Sequence, residues 1–190
     1  MSERPVGTAA WFETVASRTV HAGFSTVRVD TVRTPDGDEV EREIVERPDA
    51  VGVVPVTDDG RVLLLKQYRQ PLGRYQLEIP AGILDVQGEP IEDAARREVV
   101  EELHHRVRDL VHLTTYHSSV GWSDERVHVY LGRGLTPTAP PEDFRAEAEE
   151  AHLEVVPLLA ADALEIARAG ELTDAKTVIG LLLAAPHLDR

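Results

Sequence analysis

The chain of 190 residues contains no cysteine, which removes disulfides, a thiolate nucleophile and any cysteine-based zinc centre together. Basic side chains are scarce: 20 Lys and Arg stand against 34 Asp and Glu, for a formal net charge of −14. Such a balance argues against nonspecific adhesion to nucleic acid or to anionic membranes, and any polyphosphate ligand must be met by local arginines and metal. No apolar run reaches membrane-spanning length, and the opening Met-Ser-Glu-Arg-Pro lacks the basic-then-apolar order of a signal segment. The expectation is therefore a cytoplasmic protein with neither nucleic acid nor membrane as a partner. Also missing are a Gly-x-Ser-x-Gly elbow, a phosphate-binding P-loop, a Gly-x-Gly-x-x-Gly turn and any His-x-x-x-His pair. Serine hydrolase, ATPase, dinucleotide dehydrogenase and histidine-metal chemistry are left without support.

What is present is concentrated between Leu77 and Leu103. Leu77-Glu78-Ile79-Pro80-Ala81-Gly82 reads as a strand ending in a tight loop, and the segment after Pro90 reads as a helix. Pro90 suits a first helical position, Glu92 and Asp93 suit the positive end of the helix dipole, and Ile91, Ala95, Val99 and Leu103 form one apolar stripe. Glu98, Glu101 and Glu102 share a helix face near its negative end. Like charges at those spacings cost about 0.2–0.5 kcal/mol per pair, so a divalent cation held by their oxygens accounts for them better than stability does. A solvated acidic face is the plain alternative for the three glutamates taken alone.

The spacing Gly82, six residues, Glu89, seven residues, then Arg97-Glu98-Val99-x-Glu101-Glu102 resembles the Nudix box of hydrolases acting on a nucleoside diphosphate linked to another group. Two departures are visible. One extra residue separates the glycine from the first glutamate, a spacing associated with the ADP-ribose pyrophosphatase branch, and His104 stands where the box has its last glycine. The resemblance implies an α/β fold, a Nudix-type α/β/α sandwich with a mixed sheet. It also implies Mg²⁺ or Mn²⁺ held by Glu98 and Glu102, with Glu101 assisting and the Ala81 carbonyl completing the site. Glu89 is expected to brace Arg97.

Upstream, alternation from Trp11 to Val32, the turn Pro35-Asp36-Gly37-Asp38 and a returning strand over 40–46 predict a small antiparallel sheet. The expected division is 1–48 for this sheet region and 49–190 for the hydrolase domain. In the ADP-ribose pyrophosphatases that the chain resembles, such a sheet crosses to a second subunit, so a homodimer is expected, with Arg42 and Glu43 as candidate substrate contacts. A surface cross-strand pair is the bland reading of the same two residues. Gln67-Tyr68-Arg69 ends a strand and resembles the family segment whose arginine reaches the diphosphate. An arginine fork matches phosphate oxygens two at a time, and an exposed strand-end arginine is the alternative. Arg74, in the following turn, is a weaker candidate.

Downstream, Gly121-Trp122 and the Ser-Asp-Glu run fit the same branch, although Val120 replaces its usual proline. Trp122 either lines the substrate pocket or packs in a core. Resemblance places a water-activating glutamate in the acidic segment 142–150, where Glu147, Glu149 and Glu150 are candidates and Glu149 is favoured. Residues 157–169 are expected to be helical, and Thr173 to cap a last helix ended by Pro186. The expected reaction is hydrolysis of ADP-ribose to AMP and ribose 5-phosphate. Another nucleotide sugar is the rival substrate, and a non-catalytic ligand-sensing Nudix module the rival from a different class.

Overall fold

Alternation of apolar residues along three strands decides how the layers stack. The structure is a computed structural model that describes residues 11–141, 144–145 and 150–188. They form two units, 11–47 with 117–125 and 48–116 with 126–188.

In the first unit, β1 (Glu13–Ala22), β2 (Thr26–Arg33) and β3 (Glu39–Glu46) make an antiparallel sheet in that order. Pairing of β2 with β3 is regular, Val27 opposite Val45 and Asp30 opposite Arg42, whereas β1 shifts register twice. The segment 117–125 is tied to this unit: the Val45 N–H donates to the Trp122 carbonyl at 2.8 Å.

In the second unit, β4 (Ala50–Pro55), β5 (Arg61–Arg69), β6 (Arg74–Glu78) and β7 (Ala81–Ile83) precede α1 (Ile91–Leu103). The chain continues through β8 (His105–Arg106), β9 (Asp109–His117), β10 (Arg126–Arg133), β11 (Thr136–Pro137), β12 (Glu154–Leu159), α2 (Ala160–Arg168) and α3 (Ala175–Leu188). One sheet runs β7-β4-β10-β9 with β4 and β10 parallel; another runs β12-β5-β6, antiparallel throughout. Val51, Val53, Leu63, Leu65 and Tyr130 pack with Ala94, Ala95, Val99 and Leu103 of α1. Val54, Val62, Leu64, Val127, Val129 and Leu131 turn the other way, onto Ala163, Leu164 and Ala167 of α2 and Leu181 and Ala184 of α3. Strand periodicity of two thus yields helix, sheet and helix layers. Glycine lets α3 come close at one point, where a Cβ on Gly180 would stand 2.8 Å from a Val54 methyl carbon.

Four boundaries differ from the expectation. Pro157 lies in β12 opposite Leu63 and does not start a helix; β12 is an edge strand, where a missing N–H costs no ladder bond. Asp174 rather than Thr173 caps α3, its carboxylate accepting from the Thr177 N–H at 3.0 Å, while the Thr173 hydroxyl donates to Gln76. Finally, α3 carries Pro186 inside it and runs to Leu188. Pro90 also sits one position before the first helical residue.

Candidate active site

The acidic face of α1 is built around one arginine. Arg97 donates to Glu89 from Nε and Nη2 at 3.2 and 3.1 Å, to Glu98 from Nη1 at 2.6 Å and to Glu101 from Nη1 at 3.0 Å. Asp85 lies 4.0 Å away. Four carboxylates therefore gather on a single guanidinium, and Glu102 extends the same face. Burial works against the Arg97 charge, but the hydrogen bond to Glu89 and the fields of Glu98, Glu101 and Glu89 outweigh it and push its pKa above the ordinary arginine value. Repulsion among the glutamates is thus partly relieved from within the chain, which the spacing of Glu98, Glu101 and Glu102 alone does not reveal. A surplus of negative charge remains, since one cation cannot balance four anions.

Glu98 is buried, and its carboxylate occupies the space that a side chain at residue 82 would need: a Cβ on Gly82 would fall 2.1 Å from the Glu98 carboxyl carbon. Gly82 is required by volume, because its φ lies outside the left-handed region. Glu102 accepts the Ala81 N–H at 2.9 Å, fixing α1 to the strand end. His104 takes φ 56°, the only non-glycine residue with positive φ among those described, so the left-handed cap forms without glycine. Its cost is borne by two backbone bonds, to Val100 and Val99.

The donor set suits a hard divalent cation, being carboxylate oxygens in surplus beside a backbone carbonyl. Among the described residues no three His, Asp or Glu side chains already converge as a coordination group. Glu98 and Glu101 are turned to Arg97, and Glu102 to Ala81.

Arg69, at the end of β5, meets Glu78 at the end of β6 through a two-point bridge, Nε to Oε1 at 2.7 Å and Nη2 to Oε2 at 2.6 Å. Glu78 also accepts from Lys176. Burial alone pushes the Glu78 carboxyl up, but the Arg69 hydrogen bond and the Lys176 charge reverse this and hold it below the usual carboxylate range. Glu78 in turn, with weaker contributions from Asp174 and Glu102, raises the Arg69 pKa. Arg69 is thus held on Glu78, three residues before the Ala81 N–H that holds Glu102.

The remaining candidates scatter. Arg74 is exposed and reaches Thr173 at 3.5 Å. Arg42 and Glu43 are exposed on β3, where Arg42 bonds the Glu41 carbonyl and Glu43 stands opposite Val29; as neighbours on a strand they face opposite sides and make no mutual pair. Trp122 is 55% exposed, which rules out core packing. Glu147 and Glu149 lie outside the described residues, and for Glu150 only its backbone, in a short 3-10 turn over Glu150–His152, is described. Glu78 and Lys176 were not anticipated. A charged residue inside the apolar run Leu77-Glu78-Ile79 is the one trace they leave in the sequence.

The family model described as NUDIX domain matches residues 46–175. The chain belongs to the Nudix family. It is a Nudix hydrolase, 37% identical over 170 residues to an ADP-ribose pyrophosphatase of Bacillus subtilis, covering 89% of this chain and 90% of that protein. To an ADP-ribose pyrophosphatase of Mycobacterium tuberculosis it is 38% identical over 172 residues, covering 90% and 82%. A solved structure titled as that of an ADP compounds hydrolase superposes with a TM-score of 0.81 over 94% of both chains, at 23% identity. This Nudix hydrolase therefore carries the family's three-layer fold, with a small antiparallel sheet ahead of it. No helix among the described residues is long and apolar enough to cross a membrane.

Proposed function

We propose that this Nudix hydrolase cleaves the diphosphate of ADP-ribose, releasing AMP and ribose 5-phosphate. One observation carries the reading: Arg69, whose fork suits phosphate oxygens, and Glu102 of the carboxylate-rich α1 face are anchored three residues apart on one stretch of chain, Arg69 on Glu78 and Glu102 on the Ala81 N–H. A substrate diphosphate between them meets a guanidinium on one side and metal-ligating oxygens on the other. The names of the relatives supply ADP-ribose as the leading candidate.

Glu98 and Glu102, with Glu101 assisting and the Ala81 carbonyl, would hold Mg²⁺ or Mn²⁺. When bound, such an ion neutralises charge on the diphosphate and lowers the pKa of a coordinated water. Arg97 holds Glu98 and Glu101 in place by hydrogen bonds, Glu89 keeps Arg97 in place, and Gly82 leaves room for Glu98. Arg69 binds and orients the diphosphate, and Glu149, among Glu147, Glu149 and Glu150, takes the proton of the attacking water. The first unit is read as the dimer element, with Arg42, Glu43 and Trp122 offered to substrate. Its exposed Trp11, Phe12 and Phe24 support that reading, because a three-stranded sheet leaves such residues uncovered only where something else covers them.

Val120 in place of the branch's proline keeps a second nucleotide sugar in view. The test compares ADP-ribose, other sugar nucleotides, diadenosine polyphosphates and NADH with Mg²⁺, with Mn²⁺ and with chelator. ADP-ribose should show the highest kcat/KM, with turnover lost on chelation. Removal of one metal-ligating carboxylate as E98Q or E102Q should lower kcat by about 100-fold or more, given the several kcal/mol that a bound metal contributes. Unchanged turnover in E102Q would overturn the metal assignment, and a ligand bound without any hydrolysis would favour the sensing alternative.

A further inference from the structure

Arg69 has one edge occupied and one edge open. Its Nε and Nη2 face Glu78, so planarity directs Nη1 to the opposite side, where it donates to none of the described residues; the side chain is 39% exposed. Glu78 is 2% exposed, and a buried carboxylate held only by a half-exposed arginine would be poorly compensated. Lys176 supplies the second cation. Its Nζ donates to Glu78 Oε2 and, at 3.1 Å, to Asp174 Oδ1. Asp174 is the cap of α3, and Thr177, the residue after Lys176, accepts the Ile79 N–H at 2.8 Å and donates its own hydroxyl to Asp174 at 2.5 Å. Two consecutive residues at the end of β6, Glu78 and Ile79, are thereby fastened to one helical turn 98 residues further along the chain.

We propose that Lys176 is a positioning residue for substrate binding: by saturating Glu78 it fixes the plane of Arg69, so that the open edge of the guanidinium is presented to the substrate's diphosphate. This rests on the reading of Arg69 as the diphosphate contact. Lys176 lies one residue beyond the stretch matched by the family model, and it acts without touching the substrate. An arginine with four side-chain torsions loses less entropy on meeting an anion when one edge is already held, which places the benefit in binding more than in the chemical step.

The test is a double-mutant cycle with K176M, R69A and the double variant, reading KM and kcat for ADP-ribose with Mg²⁺, with folding checked by circular dichroism and thermal melting. K176M should raise KM by roughly tenfold, and at most about 100-fold, the scale of a misplaced binding group, with kcat changed less than KM. R69A should raise KM further, K176M should add nothing in the R69A background, and K176R should recover most of the wild-type KM. Should K176M fail to fold, E78Q takes its place in the same cycle. If R69A raises KM while K176M does not, or if the two effects simply add, Lys176 is structural and the inference is wrong although Arg69 stands. If R69A leaves KM unchanged, the diphosphate reading of Arg69 and the inference fall together.

Discussion

The two units are stabilised by different means. Among the described residues, the first unit buries only Val29, Asp30 and Val45, while Trp11, Phe12, Val20 and Phe24 stand exposed. Its sheet is laced instead with charge pairs: Arg28 with Glu46 and Asp30, Arg33 with Glu13 and Glu39. The exposed pairs, those of Arg33, contribute about 0–1 kcal/mol each. The second unit has two apolar clusters on opposite faces of its sheets, with Leu64, Val53, Val99 and Leu181 fully enclosed. Apolar burial supplies far more, about 1.5–3 kcal/mol per large side chain. The α1 carboxylates and Arg69, which form the proposed site, stand on the unit that holds itself together, and the first unit remains a sheet in want of cover.

The largest effect expected from that contrast is on stability. Leu64→Ala in the second unit should lower the unfolding free energy by about 2–5 kcal/mol, whereas Val45→Ala in the first should cost about 1–2 kcal/mol, given the smaller volume removed. Urea titrations of both variants measure the gap; equal losses would erase the distinction between the units.

The next effect is on turnover. Gly82→Ala drives a methyl group into the Glu98 carboxylate, so kcat should fall by roughly 100-fold, the scale of a one-ångström displacement of a working group. Thermal stability should change less than in Leu64→Ala, because the displaced group is a carboxylate and not a core side chain. A variant with wild-type kcat would show that Glu98 does not need the space that Gly82 leaves.

How much of this was legible in the sequence follows from the same contrast. Strands β4, β5 and β10 and the stripe of α1 announce themselves by periodicity, and local rules of packing then settle the three layers. The carboxylate face was equally plain, because its residues are three and four apart on one helix. What stayed hidden depends on distant partners or on place in the sheet. Pro157 is tolerable in a strand only because β12 is an edge, and nothing within 150–160 says so. Lys176 on Glu78 joins residues 98 apart. Arg97 was expected to meet Glu89, yet its simultaneous hold on Glu98 and Glu101 is a matter of side-chain conformation that spacing leaves open.

A smaller effect is expected on assembly. Trp11→Ser with Phe12→Ser removes two exposed aromatic groups from the first unit, and aromatic residues dominate binding at protein interfaces. If this unit is the dimer element, sedimentation should show a dimer dissociation constant at least about tenfold larger, with activity falling as the protein is diluted. A variant that remains as associated as the parent would return the exposed sheet to an unexplained surface.

The smallest effect is on the pH dependence of stability. His128 in the second unit is buried, with Nδ1 3.0 Å from the Thr115 hydroxyl and Nε2 3.7 Å from Asp49. Burial lowers its pKa below the ordinary histidine value; the Asp49 charge opposes this in part, while Arg126 and His112 add to the lowering. The unfolded chain therefore binds the proton first on acidification, and stability that is complete above about pH 6.5 is lost as the pH falls towards the folded pKa. Asp30 in the first unit also has a lowered pKa, held there by hydrogen bonds from Ser17 and Arg28. Its contribution is present above the unfolded carboxylate value of about 3.8–3.9 and is lost only below it. Melting temperatures taken from pH 8 to pH 3 should accordingly decline in two windows, with His128→Asn flattening the upper and Asp30→Asn lessening the lower, to which Glu78 and Asp49 of the second unit also contribute. An upper window that survives in His128→Asn would assign that decline to some other group.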